Sequence, residues 1–288
     1  MNLAFKIKRN LKWRFTPARL NSGNLIVHFG YHKAMTSYFN KVFNHLAIEF
    51  NWHHKHHNSS PENFYNDISN INKTSIISVN NSFIDLNKIN TPFKGSYIIR
   101  DPRDLIISGY KYHKWTNEPW ANLPLTDVLL ARIKYDEIKN LDISLQALKK
   151  ITYKELLNQV DQETGFMIEF NFRSKHFDVM KQQSAFQHPD IKQLKYENLF
   201  NNEVAIFNDL FDHYGFTNKM KKSGLNYVEQ FSFKNMVKKG DTGNKKHAST
   251  GKSAQWKEAL PETIKNAFKN EYGQMLIDLN YEKDHNWQ

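Results

Sequence analysis

Lys33 follows Gly30 by three residues in the stretch "GYHKAMTSYF", residues 30–39, and Thr36 and Ser37 come after it. Gly30 permits a tight turn. Lys33 supplies a fixed positive charge, and the two hydroxyl residues stand where a helix must begin. With the backbone of Ala34, Met35, Thr36 and Ser37, this makes a cradle for a phosphate or sulfate group. The plainer alternative is a strand–helix turn with an exposed lysine. The pattern is not the nucleotide-triphosphatase loop G-x-x-x-x-G-K-[ST], which needs a second glycine directly before the lysine. A decoy "GKS" occurs at 251–253, but Lys246 stands where that loop needs its first glycine.

A second constellation lies in "YIIRDPRDLIISGY", residues 97–110. An arginine fork at Arg100 and a hydroxyl at Ser108 suit a terminal phosphate. On a helix that begins at Pro102, Asp101, Asp104 and Ser108 share one face. The aspartates are expected to cap that helix and hold Arg100 or Arg103, whose charges oppose a metal ion there. His113 continues the same helix and could act as a general base or be a packed histidine. The run "WHHKHH", 52–57, matches no zinc spacing and reads as a solvated loop.

The elements that carry these residues follow from the apolar pattern. "NLIVHF" (24–29), "TSIISV" (74–79) and "SYIIR" (96–100) read as short apolar strands, and "IKQLKY" (191–196) is a further strand candidate. Tyr38, Phe39, Val42, Phe43 and Leu46 recur at helical spacing after the first. Residues 123–160, 203–214 and 262–279 read as helical, and 234–257 as a long loop. Strands alternating with helices predict a parallel sheet covered on both faces. Ligands of such sheets bind beyond the carboxyl ends of the strands, where both constellations fall.

The 288-residue chain carries 40 Lys and Arg against 29 Asp and Glu, a formal net charge of +11, which favours anionic partners. It has no cysteine, so disulfides, thiolate metal sites and a cysteine nucleophile are excluded. That suits a reducing, cytoplasmic setting. No apolar run is long enough to span a bilayer. Residues 1–23 read as a basic arm, able at most to touch an acidic surface, and 24–288 as one domain.

Taken together, "GYHKAMTSYF" and "YIIRDPRDLIISGY" resemble the two cofactor signatures of the PAPS-dependent sulfotransferases, where PAPS is 3′-phosphoadenosine 5′-phosphosulfate. "LKYENL" (194–199), "SFKNM" (232–236) and "GKSAQWKEAL" (251–260) resemble further family stretches, in the same order. Met35 replaces a usual glycine of the first loop. Ser249 and Thr250 replace an Arg-Lys pair in the last, with Lys245, Lys246 and Lys252 nearby.

The resemblance implies a P-loop-like three-layer α/β fold and PAPS as co-substrate, with no metal required. Lys33 would contact the transferring sulfuryl group, and the 30–37 loop, through Thr36 and Ser37, the 5′-phosphate. Arg100 and Ser108 would bind the 3′-phosphate. Tyr196 and Phe233 would border the adenosine pocket, and Gly251, Lys252 and Trp256 the closing loop. Many relatives place a histidine base after the strand equivalent to "TSIISV", where this chain has Asn80 and Asn81. His113 is therefore the first candidate base, with Glu118 and Glu49 behind it. The acceptor would be a hydroxyl or amine, the basic balance favouring an acidic carbohydrate, and nucleic acid is not an expected partner. The rivals are a P-loop-type nucleotide kinase and a basic nucleic-acid-binding protein.

Overall fold

The computed structural model describes residues 25–138, 143–184, 188–200, 202–232, 235 and 253–288. Five strands are present: β1 (Leu25–Gly30), β2 (His53–Asn58), β3 (Ser75–Asn80), β4 (Phe93–Ile99) and β5 (Ile191–Lys195). They form one sheet in the order β2-β3-β1-β4-β5, and every pairing is parallel. Ile26, Val27, Ile76, Ile77, Ile98 and Ile99 are almost wholly buried. Such strands read as continuous apolar runs because both faces are covered.

The described residues divide into two compact units. Those up to Arg100 and those between Gln187 and Lys245 form one; those from Asp101 to Phe186 and beyond Lys246 form the other. The first unit holds the sheet and helices α1 (Thr36–Phe50), α2 (Pro61–Ile68), α8 (Tyr196–Leu199), α9 (Glu203–His213) and α10 (Asn218–Phe231). On one face of the sheet, Phe39 and Phe43 of α1 pack on His28, and Phe207 of α9 packs on Phe39. On the other face, Asp67 of α2 meets Lys55 and His57 of β2. Helices thus flank both faces within this unit.

The second unit holds α3 (Pro102–His113), α4 (Asp127–Arg132), α5 (Leu145–Leu148), α6 (Tyr153–Gln159), α7 (Gln162–Ser184), α11 (Trp256–Ala259) and α12 (Glu262–Asp278). Its centre is a buried charge cluster. Glu169 of α7 accepts from Arg173 Nε at 2.5 Å and from Tyr153 Oη at 3.0 Å, and pairs with His113 Nδ1 at 2.8 Å. Burial works to raise the Glu169 carboxyl, but His113 and Arg173 together hold it below the usual range. Gly109 makes the packing possible, because a Cβ there would come within 2.0 Å of Glu169 Oε1.

Two expectations need correction. "WHHKHH" is not a solvated loop: His53–Asn58 is the edge strand β2, paired along its length with β3. Backbone pairing overrides the weak strand preference of these residues. Residues 123–160 are not one helical stretch. Thr126, Ser144 and Thr152 each cap a new short helix, and Pro124 bridges to Thr152. Each cap satisfies backbone donors locally and so restarts the chain. Helices at 203–213 and 262–278 match expectation, whereas α7 and α10 were not anticipated. Most of 234–257 lies outside the described residues.

Candidate active site

The turn after β1 ends the central strand of the sheet. Gly30 is there for close approach: a Cβ would meet Asn80 Oδ1 at 2.9 Å. The turn closes through Ala34 N–H donating to Tyr31 O at 3.0 Å. Lys33 and Met35 both adopt left-handed backbone, with φ of 72° and 60°. Met35 is the residue before α1, and no side chain caps that helix start. The first turn of α1 also holds no acid. A helix N-terminus with neither cap nor carboxylate keeps its N–H groups and partial positive charge for an outside anion. Beneath the turn, the hydroxyls of Tyr31 and Tyr97 share a buried hydrogen bond of 2.7 Å.

Arg100 leaves β4 at the same edge and is 5% exposed. Its Nη1 donates to the carbonyl of Lys33 at 3.2 Å. Its guanidinium lies 4.3 Å from the centre of the Tyr196 ring. Three residues singled out from separate motifs therefore meet: the turn lysine, the strand-end arginine and the tyrosine that opens α8. Thr36 and Ser37 begin α1 as expected, and Ala34 is buried under the turn. The ends of β2 and β3 are tied in as well. His32 N–H donates to Asn81 Oδ1 at 2.9 Å, and Asn81 Nδ2 donates to Asn58 Oδ1 at 2.8 Å.

In the second unit, Asp101 caps α3 through the N–H of Arg103 and grips its guanidinium at 3.0 and 2.8 Å. Arg103 also pairs with Glu282 at 2.5 Å and lies against the rings of Trp256 and Trp287. Asp104 accepts from Trp256 N–H at 3.0 Å. The aspartates thus serve Arg103, the helix start and Trp256. Ser108 lies on α3 and is 7% exposed. Phe233, Gly251 and Lys252 lie outside the described residues.

The candidate bases fare differently. His113 has 0% exposure and is enclosed by Trp120, Tyr153 and Phe172 beside Glu169. This is the packed histidine of the two readings, and it gives no acceptor a route to the ring. Glu49 sits near the far end of α1, about 20 Å along the helix from Thr36, and holds Tyr227 and Ser223. Glu118 accepts from Tyr112 Oη and Trp120 Nε1, both at 2.6 Å. Among the described residues, no three His, Asp or Glu side chains converge so as to hold a metal ion.

The parallel α/β sheet carries at its carboxyl edge a turn with an uncapped helix start, backed by an arginine. The model described as the sulfotransferase family matches residues 18–281, and the chain belongs to that family. No curated protein matches the sequence. Among solved structures, mouse sulfotransferase SULT7A1 complexed with PAP is 12% identical, with 90% of this chain and 85% of that one covered and a TM-score of 0.49. Retinol dehydratase in complex with androsterone and inactive cofactor PAP is 11% identical, with 88% and 80% covered and a TM-score of 0.45. Among the described residues no helix is long and apolar enough to cross a membrane.

Proposed function

We propose that the protein transfers a sulfuryl group from PAPS to a hydroxyl or amine, by in-line attack of the acceptor on sulfur. The observation that carries this reading is the uncapped, acid-free start of α1, with Lys33 in its turn and Arg100 fastened to the Lys33 carbonyl. The α1 N-terminus, with Thr36 and Ser37, holds the 5′-phosphate. Arg100 and Ser108 are assigned to the 3′-phosphate, Tyr196 and Phe233 to the adenosine, and Gly251 and Lys252 to closing over it. Lys33 neutralises charge on the phosphate oxygen as its bond to sulfur breaks, as charge-stabilising donors do in phosphoryl transfer. These protein donors serve without a metal. Residues 24–288 work as one domain, and residues 1–23 add a basic arm. The net charge of +11 also suits an acidic acceptor such as a carbohydrate.

The test is a thermal shift with PAP (adenosine 3′,5′-bisphosphate), with ATP plus magnesium and with DNA in parallel. PAP alone should stabilise the protein. Stabilisation by ATP plus magnesium would favour a kinase, and DNA binding with a steep salt dependence a nucleic-acid protein. Arg100→Ala should weaken PAP binding about ten- to more than a hundredfold, the range for a lost charge-assisted contact. An unchanged dissociation constant by calorimetry removes Arg100 from the phosphate site.

A further inference from the structure

Sulfuryl transfer to a hydroxyl needs a proton acceptor at the turn, and neither His113 nor Glu49 is placed to serve. We infer, building on the sulfotransferase reading, that His56 is the general base and that Asn80 holds its Nε2 until an acceptor takes that place.

His56 lies opposite Ser78 in the β2–β3 pairing, and Asn58 lies opposite Asn80. Side chains alternate along strands, so His56 and Asn80 share a face of the sheet. That face carries α1, since His28, opposite the same Ser78, packs on Phe39 and Phe43. The His56 ring points along the sheet to its carboxyl edge, where Nε2 meets the side-chain amide of Asn80. Asn80 is 4% exposed, and its Oδ1 is the atom that Gly30 must make room for. One buried side chain therefore separates the imidazole from the anion-binding turn. That Oδ1 accepts no hydrogen bond among the described residues.

His56 is partly open to solvent and partly enclosed, so an acceptor can approach it from the open side. The neighbouring histidines cannot take its place. His28 is buried and bonded to Ser96, His54 is packed against Phe43, and His57 is on the opposite face with Asp67. The groups around His56 also favour its neutral form. Burial, and then His57, lower its basicity, so the ring keeps a lone pair at neutral pH. His28 and His54 on the same face are themselves held neutral, and Asn80 carries no charge.

The Asn80 amide marks where the acceptor's O–H would bind. An acceptor displacing that contact donates its hydrogen to His56 Nε2 while its oxygen attacks sulfur. The new O–S bond forms as the S–O bond to the phosphate breaks. The bonding pair leaves on the phosphate oxygen, beside Lys33. The proton rests on His56 and passes to water.

The experiment uses PAPS with water as acceptor, followed as PAP release, beside PAP calorimetry. His56→Gln should lower release about 10²–10⁴-fold, the usual contribution of a general base, with PAP affinity unchanged. The wild-type rate should fall as pH drops below the ordinary histidine range, and His56→Gln should lose that limb. Asn80→Asp should move the limb to higher pH, because a carboxylate favours the imidazolium. A folded His56→Gln protein with normal release, or one that keeps the limb, overturns the assignment while PAP binding leaves the sulfotransferase reading standing. A wild-type protein that binds no PAP overturns both.

Discussion

Lys33 is the residue on which the proposed chemistry turns. Its contact should strengthen as the sulfur–oxygen bond breaks, and interactions gained only in the transition state raise turnover rather than binding. Lys33→Ala should cut single-turnover transfer by at least about a hundredfold and PAP affinity much less. Equal loss of both would make Lys33 a general anchor for the phosphates. Two residues on, Met35 sits at φ 60°, where most side chains clash with their own backbone. This explains how the family's usual glycine belongs there: the turn demands left-handed backbone whichever residue occupies it. Met35→Gly should raise unfolding stability by up to about 1 kcal/mol, less whatever packing the half-buried side chain provides. A loss in urea denaturation would show that packing outweighs strain.

Elements were legible where one physical signal dominated. β1, β3 and β4 declared themselves as apolar runs, and α3 through Asp101 and Pro102 at its start. β2 did not, because nothing in a run of histidines announces the pairing with β3 that makes it a strand. α7 was hidden for another reason. Thr164, Glu169, Asn171 and Arg173 are all buried in it, so no apolar stripe alternates with a polar face. The same concealment covers His113, whose partners Glu169 and Tyr153 lie 56 and 40 residues further on (169 − 113 and 153 − 113). The turn, Arg100 and Tyr196 were legible through their motifs, whereas the His56–Asn80 contact needed the strand register. The α3–α7 contact gives its own prediction. Gly109→Ala would push a methyl into Glu169 and Arg173, both fully buried. Overpacking typically costs about 1–3 kcal/mol, and splitting a buried ion pair about 3–5 kcal/mol. Thermal unfolding should fall clearly below wild type, and an unchanged midpoint would mean that the cluster can shift freely.

At the scale of the molecule, three histidines, one buried and two partly buried, set a limit on acid tolerance. Burial comes first in each, with His56 and His54 acting on His28, His56 and His53 on His54, and Arg173 and Arg132 on His176; the pKa falls to about 3 in His28, about 4 in His54 and about 3 in His176. Their unfolded value is 6.5, so the stability they contribute is complete above that pH. It is lost as pH falls towards 3–4, because the unfolded chain takes up the protons first. Each adds a slope of about 1.4 kcal/mol per pH unit in that window. The melting temperature should therefore drop steeply between pH 6.5 and 4, and His28→Gln should flatten the slope. A melting temperature independent of pH across that range would contradict the assignment of neutral histidines.

Arg103 carries a different kind of consequence, one of timing during synthesis. Arg103 is 1% exposed, held by Asp101 beside it and enclosed by Glu282 and two indoles, and Glu282 is 179 residues downstream. At roughly 5–20 residues per second, a ribosome needs on the order of 10–35 s to make that stretch. For that interval α3 carries a charge that cannot yet be buried. The nascent second unit must wait for its last residues, open to chaperones and proteases, and a message that stops short of Glu282 releases a chain that never completes it.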